Sequence, residues 1–418
     1  MALKIPPSLR VRPFALFWTG LLISVAGGQM QFWALLWHVS QLSNSPIVVS
    51  GIGLARFLPI LIFSLVAGAL ADVFNRRKIM FVTQTTMMIT AILLGLLTLF
   101  GHIQIWQIYL LTAIQATAAS FDLPARQALT PNLVPRELYP NAFSMQSIAF
   151  NTGAIVGPAL SGIVIASMGL QWVYFINAIT YLAVLLAIAL IGNIPQTKGV
   201  PTTSPRVISL KAIGEGIQFI IHSPVILSSM ILDFFATFFS SANTLLPFVA
   251  QQILKVSVME YGWLSAGQSI GAVTVALLFS QRANIRRQGK LLLSAVTFFG
   301  LATILFGISR NIFLTLFALI CVGASDSVST ILRNTIRQLQ TPDYIRGRMV
   351  SVNQIFFSGG PQLGEIEAGL VAQAFGLSAA IITGGLGCIV TVMAVMGIWP
   401  DLRHYNGDEP ALSAQTSI

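Results

Sequence analysis

The chain has 418 residues, 55% hydrophobic and only 9% charged, with a formal net charge of +10 and a mean hydropathy of +0.80. A soluble globular chain carries about 25% charged residues, so this composition excludes a soluble enzyme or binding module and requires an integral membrane protein. Two remote cysteines, Cys321 and Cys388, and four scattered histidines exclude a disulfide framework and a metal site.

The start, Met1–Arg12, is basic, and the apolar run that follows it to about Val39 is longer than a signal-peptide core of about 7–15 residues. It reads as a retained first span with a cytoplasmic N-terminus. Spans follow near 14–40, 47–72, 78–100, 103–122, 141–167, 172–192, 224–250, 260–280, 290–308, 312–332, 349–374 and 379–399, each offering the ~20 residues a membrane helix needs. Alternate connections are then cytoplasmic. They hold Lys4, Arg10 and Arg12; Arg76, Arg77 and Lys78; Arg126 and Arg136; Lys198, Arg206 and Lys211; Arg282, Arg286, Arg287 and Lys290; Arg333, Arg337, Arg346 and Arg348; and Arg403. Of the 23 basic residues only Lys255 and Arg310 fall outside, and Arg56 lies within a span. The positive-inside bias gives twelve spans with both termini cytoplasmic. The net charge is topology and implies no nucleic-acid partner.

Gly68-Ala-Leu-Ala-Asp72-Val-Phe-Asn-Arg76-Arg77-Lys78 joins the second and third spans. So short a connection turns at once. Asn75 tolerates the left-handed backbone of a tight turn, and Asp72 is placed to cap or electrostatically favour the third helix. The plain reading is a hairpin held inside by its cations. The stretch also resembles the loop between the second and third helices of the major facilitator superfamily, Gly-x-x-x-Asp-Arg-x-Gly-Arg-Arg-Lys. Gly68, Asp72, Arg76, Arg77 and Lys78 are in register, Val73 replaces the first Arg and Asn75 replaces the Gly. The resemblance implies a cytoplasmic latch between two halves of a transporter, here lacking one of its cations.

The chain divides into a six-span bundle (1–192), a cytoplasmic linker (193–223), a second bundle (224–400) and a short polar cytoplasmic tail (401–418). Within the linker, Leu210, Ile213, Ile217 and Ile221 share one face opposed by Lys211, Glu215 and Gln218, the pattern of an amphipathic helix on the inner membrane surface. The other reading, an early start of the seventh span, is opposed by Pro224. The halves also repeat. At an offset of 207, Arg126, Pro135, Ser144, Ile148, Phe150, Gly153, Gly157 and Gly162 fall on Arg333, Pro342, Ser351, Ile355, Phe357, Gly360, Gly364 and Gly369. Such parallel repeats build one class of secondary transporters. The Gly68–Lys78 hairpin has a weaker partner in Arg282–Arg287, which lacks the acid.

Phe121-Asp122-Leu-Pro-Ala-Arg126-Gln-Ala-Leu, Pro135-Arg-Glu and Asn141-Ala resemble the drug- and siderophore-exporting branch of that superfamily, which includes macrolide efflux proteins and the enterobactin exporter. Gly153-x-x-x-Gly157-Pro158-x-x-Ser161-Gly162 is similar to the fifth-helix motif of proton-coupled antiporters. Ser161 stands for a Gly, and Ser144 lies near the place of an earlier one. Small residues allow close helix packing, and Pro158 bends a helix. The resemblance spans the chain. It implies an all-α fold of two pseudo-symmetric six-helix bundles, with helices one, four, seven and ten lining a cavity and helices two and eleven facing across the boundary.

Charged groups within spans are costly and mark functional sites. Arg56 stands 16 residues from Asp72, and Glu365 stands 16 from Met349, both ~24 Å from their cytoplasmic ends. The resemblance then pairs Arg56 with Glu365 or Glu367 as an outer gate. The two acids sit roughly 200° apart around a helix, and the repeat favours Glu365. A static neutralised pair is the plain alternative. Asp233 and Asp326 lie at comparable depths on two cavity-lining helices. Both are expected to face water as proton-coupling acids, Asp233 first, with Asp326 alternatively holding the cluster around Arg333 and Arg337. Asp122, four residues before Arg126, reads either as part of the latch with Arg76 and Arg77 or as a helix-end ion pair.

Gln29, Gln31, Gln115, Asn243 and Gln268 are polar groups in apolar spans. With Trp33, Phe234, Phe235, Phe238 and Phe239 they form either a mixed substrate cavity or ordinary packing. His38 and Trp37 read as an interfacial anchor. No nucleophile–base set marks an enzyme, and no cofactor is expected. The expectation is a monomeric transporter in a bacterial inner membrane, exporting amphiphilic drugs or siderophores by alternating access in exchange for protons. The acids in the cavity suit cationic or zwitterionic compounds. An importer or facilitator of another solute is the near rival; a membrane sensor or enzyme is remote.

Overall fold

A computed structural model describes residues 6–192, 217–280, 286–342, 346–407 and 409. Residues 208–216 of the expected amphipathic helix, Arg282 and the last residues of the tail lie outside these, as does the Asp72 side chain. Twelve long helices follow in order: α1 Arg12–Leu42, α2 Pro46–Val73, α3 Arg76–Leu99, α4 Ile105–Leu133, α5 Tyr139–Met168, α6 Leu170–Ile191, α7 Pro224–Phe239, α8 Val258–Ser280, α9 Gln288–Ile308, α10 Ile312–Gln340, α11 Arg346–Phe375 and α12 Leu377–Ile398. No strand occurs among the described residues. The protein is a multi-pass membrane protein. Among the described residues ten helical segments are long and apolar enough to span a bilayer, α7 counting together with the turns that follow it. α4 carries Gln115, Asp122 and Arg126 along its length, and α11 is described only in part.

Three helices of the second half reproduce three of the first. α4, α5 and α6 recur as α10, α11 and α12 with every bound displaced by 207. The joints repeat too: Gly169 between α5 and α6 has φ +101°, and Gly376 between α11 and α12 has φ +90°, the region that favours glycine. Packing repeats with the same shift of six helices. In the first half α1 packs on α5 and α6, and α3 on α4 and α6; in the second α7 packs on α11 and α12, and α9 on α10 and α12. The eight identities seen in sequence are the visible part of a duplication reaching from residue 105 to 191.

The chain clusters into two compact units. So far as they are described, one holds Met1–Asn44, Ala55–Val207 and Ser257–Ala266, the other Ser45–Leu54, Ile208–Val256 and Gly267–Ile418. The first ten or so residues of α2 and of α8 therefore group with the other half of the sequence, which the contiguous division above did not foresee.

Glycines set the closest approaches. In the first unit a Cβ on Gly153 would meet Ala26 N at 3.0 Å, and one on Gly157 would meet Ala26 O at 2.7 Å. Gly162 packs on Gly262 at the start of α8. In the second unit the repeat partners do the same work. Gly360 and Gly364 lie against Phe234 O and Phe238 O of α7, and Gly369 lies against Ser50 at the start of α2. Gly153 and Gly157 of the antiporter-like motif are thus spacers that bring α5 onto α1, and Gly162 brings it onto α8, as van der Waals packing in a membrane requires.

Three local expectations change. Asn75, with φ −64°, is not left-handed. It is the N-cap of α3, its side chain accepting from Arg77 N (3.0 Å) and Lys78 N (3.3 Å), so the cap assigned to Asp72 belongs to Asn75. Of the linker helix, residues 217–221 are helical, and the buried side chain is Ile220, packed with Ile226, Met230 and Met349; Ile217 and Ile221 are exposed. The start of the tail is not free: Pro400–His404 is a short helix, and Leu402 and Tyr405 are buried in the core of the second unit.

The span of α7 is interrupted. After Phe239 come Ser240–Ala242, a 3-10 turn at Asn243–Leu245, a helical turn at Leu246–Phe248 and a π-helical segment Val249–Leu254, closed by Lys255 at φ 53°. Carbonyls next to the break abut glycines: a Cβ would stand 2.0 Å from Phe238 O on Gly364 and 2.1 Å from Phe239 O on Gly384. Gly364→Ala should therefore destabilise by about 1–3 kcal/mol through overpacking, lowering the melting temperature of the purified protein. Gly28→Ala, with nothing within 4 Å, should leave it unchanged or raise it.

Candidate functional site

The first unit holds a cavity of about 280 Å³ that gathers residues from six helices, four of which supply its main polar groups. Gln29, Gln31 and Phe32 come from α1, Arg56 from α2, Gln84 from α3, and Gln115, Asp122 and Arg126 from α4. Three sets of residues read separately in the sequence, the polar glutamines, the intramembrane arginine and the supposed latch acid, line one space. The glutamines belong to a chain: Asn177 Nδ2 donates to Gln31 Oε1 (2.6 Å), Gln31 Nε2 to Gln115 Oε1 (2.9 Å), and Gln115 Nε2 to the Tyr181 hydroxyl (2.9 Å). Asn177 and Tyr181 stand four apart on one face of α6, a spacing that flags them in retrospect.

Asp122 is buried, 2% exposed. Thr83 Oγ1 (3.0 Å) and Gln84 Nε2 (2.9 Å) donate to one carboxylate oxygen, and Arg126 lies 3.3 Å from the other. Arg76 and Arg77 bond elsewhere: Arg76 donates to Ala128 O (3.0 Å) and Asn132 Oδ1 (2.9 Å), and Arg77 to Ile188 O (2.7 Å). Both reach carbonyls in the last turns of α4 and α6, where a helix dipole favours cations. Within this unit Asp122 is ion-paired with Arg126, and Arg76 and Arg77 each bond to carbonyls of their own bundle. Two guanidiniums lie over aromatic rings, Arg56 over Phe32 at 4.4 Å and Arg126 over Phe150 at 5.1 Å.

The second unit holds an acid–cation–acid cluster. Asp233 of α7 pairs with Arg333 of α10 at 2.5 Å, and both side chains are almost fully buried. Asp326 lies 3.8 Å from the other side of the same guanidinium with its side chain 47% exposed. Thr330 accepts a further hydrogen bond from Arg333 at 2.8 Å. The expectation that both acids face water is corrected for Asp233, which is buried, while Asp326 is half-exposed. Arg333 and Arg337, counted above among loop cations, lie inside α10 and are buried. Arg337 is held by Arg333 O, Asn334 and Asn353. Sequence reasoning set Arg333 and Arg337 among the cytoplasmic cations, with Asp326 alternatively holding them, and missed that Arg333 is buried against Asp233. The repeat position of Arg333, that of Arg126, was the signal.

The remaining candidates are dispersed. Asn243 accepts from Gln268 at 3.1 Å. Glu365 is buried in the second unit, close to the site a Cβ on Gly53 would occupy, and Glu367 is partly buried. Phe234, Phe235, Phe238 and Phe239 pack on one another, with centroids 5.2–6.2 Å apart. Trp33 packs on Phe32 and Tyr261. His38 and Trp37 are buried, not interfacial: the His38 ring nitrogen Nδ1 meets the Tyr174 hydroxyl at 2.8 Å.

Removing one partner of a buried pair leaves a charge without compensation, at about 3–5 kcal/mol. Asp233→Asn should therefore cost roughly 3 kcal/mol, the lower end because Asp326 remains. Asp326→Asn, half in water, should cost under about 1 kcal/mol. Thermal unfolding of the two purified variants checks the order.

Residues 6–413 match the model of a family described as transmembrane secretion effectors. The chain is 28% identical over 353 residues to the enterobactin exporter EntS of Escherichia coli, covering 84% of this chain and 83% of that one, and equally similar to EntS of Shigella boydii. In fold it is similar to the peptide transporter POT (TM-score 0.73, 13% identity, covering 94% of this chain and 95% of that one). It is also similar to a bacterial homolog of the human lysosomal transporter Spinster (0.68, 15%, 96% and 97%). Fold, charge placement and these likenesses agree: the chain is a membrane transporter and belongs to the transmembrane secretion effector family of the major facilitator superfamily.

Proposed function

We propose that this transporter exports amphiphilic small molecules, siderophores or drugs, by alternating access in exchange for protons. It acts as a monomer in a bacterial inner membrane with both termini cytoplasmic. The observation that carries the proposal is the Asp233–Arg333–Asp326 cluster, two carboxylates on one buried guanidinium with only Asp326 open to water. With both acids ionised the cluster carries a net charge of −1; when Asp326 takes a proton from the water it contacts, the cluster becomes neutral and Arg333 answers to Asp233 alone. A buried charge that changes by one is what couples proton binding to conformation in a low-dielectric site. Asp233 Oδ2 and Arg333 Nε have no hydrogen-bond partner among the described residues, so the cluster has capacity to answer such a change. Exposure supports Asp326 over Asp233 as the carrier.

For the substrate, the uncharged Gln31–Gln115–Tyr181 chain in the first unit, among Phe32 and Phe150, suits hydroxylated or amide-bearing aromatic compounds as well as cationic ones. The likeness to an enterobactin exporter supports export and places siderophores in the panel to be tested. In proteoliposomes under an imposed acid gradient, a substrate from a panel of macrolides, cationic drugs and catecholate siderophores should collapse the gradient in wild type. Asp326→Asn should lose this response at least tenfold while remaining folded. An Asp326→Asn protein that couples like wild type, or a panel without any response, overturns the proposal.

A further inference from the structure

A second cavity, of about 580 Å³, lies in the first unit away from the polar one, among the Lys78 ends of α2, α3 and α4. Its walls are two regular stripes. On α3 the lining positions are 78, 79, 82, 83 and 86, and on α4 they are 114, 117, 118 and 121. Each set follows the three-and-four spacing that keeps side chains on one helical face. Ile79, Val82, Ile114 and Phe121 make the walls apolar, and Phe74 of the α2 end stands beside them, 58% exposed. The stripe from Lys78 to Thr86 runs ~12 Å along α3, so the groove extends from the hairpin into the span.

Charge is confined to its mouth. Lys78 is exposed, and no described residue pairs with its ammonium. The described lining contains no carboxylate. The two neighbouring arginines point into the bundle, on the ends of α4 and α6, so Lys78 alone of the three consecutive cations is presented outward. A slot with an apolar body and a single cation at its end is complementary to a molecule with an apolar chain and an anionic head, and basic pockets between spans recognise anionic lipid headgroups. We propose that this groove binds one anionic phospholipid, its phosphate on Lys78 and an acyl chain between the α3 and α4 stripes.

Native mass spectrometry of the full-length protein, with phosphatidylglycerol and phosphatidylcholine of the same chains in competition, tests it. Wild type should retain one phosphatidylglycerol about fivefold more readily than phosphatidylcholine, the ratio that one basic residue contributes at a membrane surface. Lys78→Gln should abolish the preference and keep the adduct, whereas Val82→Trp should fill the groove and lose the adduct of either lipid. Lys290→Gln, another exposed cation, should leave the preference intact. Equal retention of both lipids by wild type overturns the proposal. So does an adduct that survives Val82→Trp, a preference lost equally with Lys290→Gln (diffuse attraction), or a dimer in place of the lipid adduct that disappears with Val82→Trp.

Discussion

A guanidinium inside a bilayer must be neutralised within its own bundle, and each half of this molecule meets that demand at the same repeat position. Arg126 is answered by Asp122 one turn away on the same helix, with α3 supplying Thr83 and Gln84 to the acid. Arg333 is answered by Asp233 from a different helix and by the half-exposed Asp326 on its own. The duplicated scaffold thus carries one fixed charge pair and one that spans two helices. Only the second ties the position of α7 to that of α10. One of its acids, Asp326, is half-exposed, whereas Asp122 in the other half is buried.

Around those charges the bundles are held by backbone approach rather than by bulk. Membrane helices gain little from hydrophobicity against lipid, so close van der Waals contact at small residues does the packing. A Cβ on Gly271 would stand 1.9 Å from Ile320 O, and one on Gly323 would stand 1.8 Å from Gln268 O, so α8 and α10 meet main chain to main chain in the second unit. The glycines of α5 and α11 serve the same end against α1 and α7. A repeat that conserves spacing in this way can vary its polar residues freely, which is why the two halves share a frame and differ in chemistry.

Much of this was legible in the sequence. Hydropathy and the run of cations place twelve helices and their order, and the 207-residue offset identifies the glycines that later appear at helix contacts. The intramembrane charges and glutamines are visible one by one. Their grouping is not: that Gln31, Arg56 and Asp122 share a cavity depends on helix rotation, which apolar periodicity hardly fixes in helices that face lipid and protein with similar residues. The burial of Arg333 against Asp233 was hidden because the end of a long helix reads as a loop when it is basic. His38 and Trp37 were misread for the converse reason, a polar ring near a helix end being as well satisfied by Tyr174 as by an interface.

The π-helical segment Val249–Leu254 has a consequence of another kind. A π turn accommodates one residue more than an α turn over the same rise, and here it sits immediately before a residue in the left-handed conformation that ends the helix. The Lys255 end of the seventh span therefore stores a single residue of slack. Loss of one residue from this stretch would convert the turn to regular helix and leave the register of Val258 onward intact, where the same deletion inside α10 would rotate Arg333 by about 100° away from Asp233. Length variation of one residue is tolerable at this point of the chain and intolerable a short distance downstream, so it is here that gaps between related sequences belong.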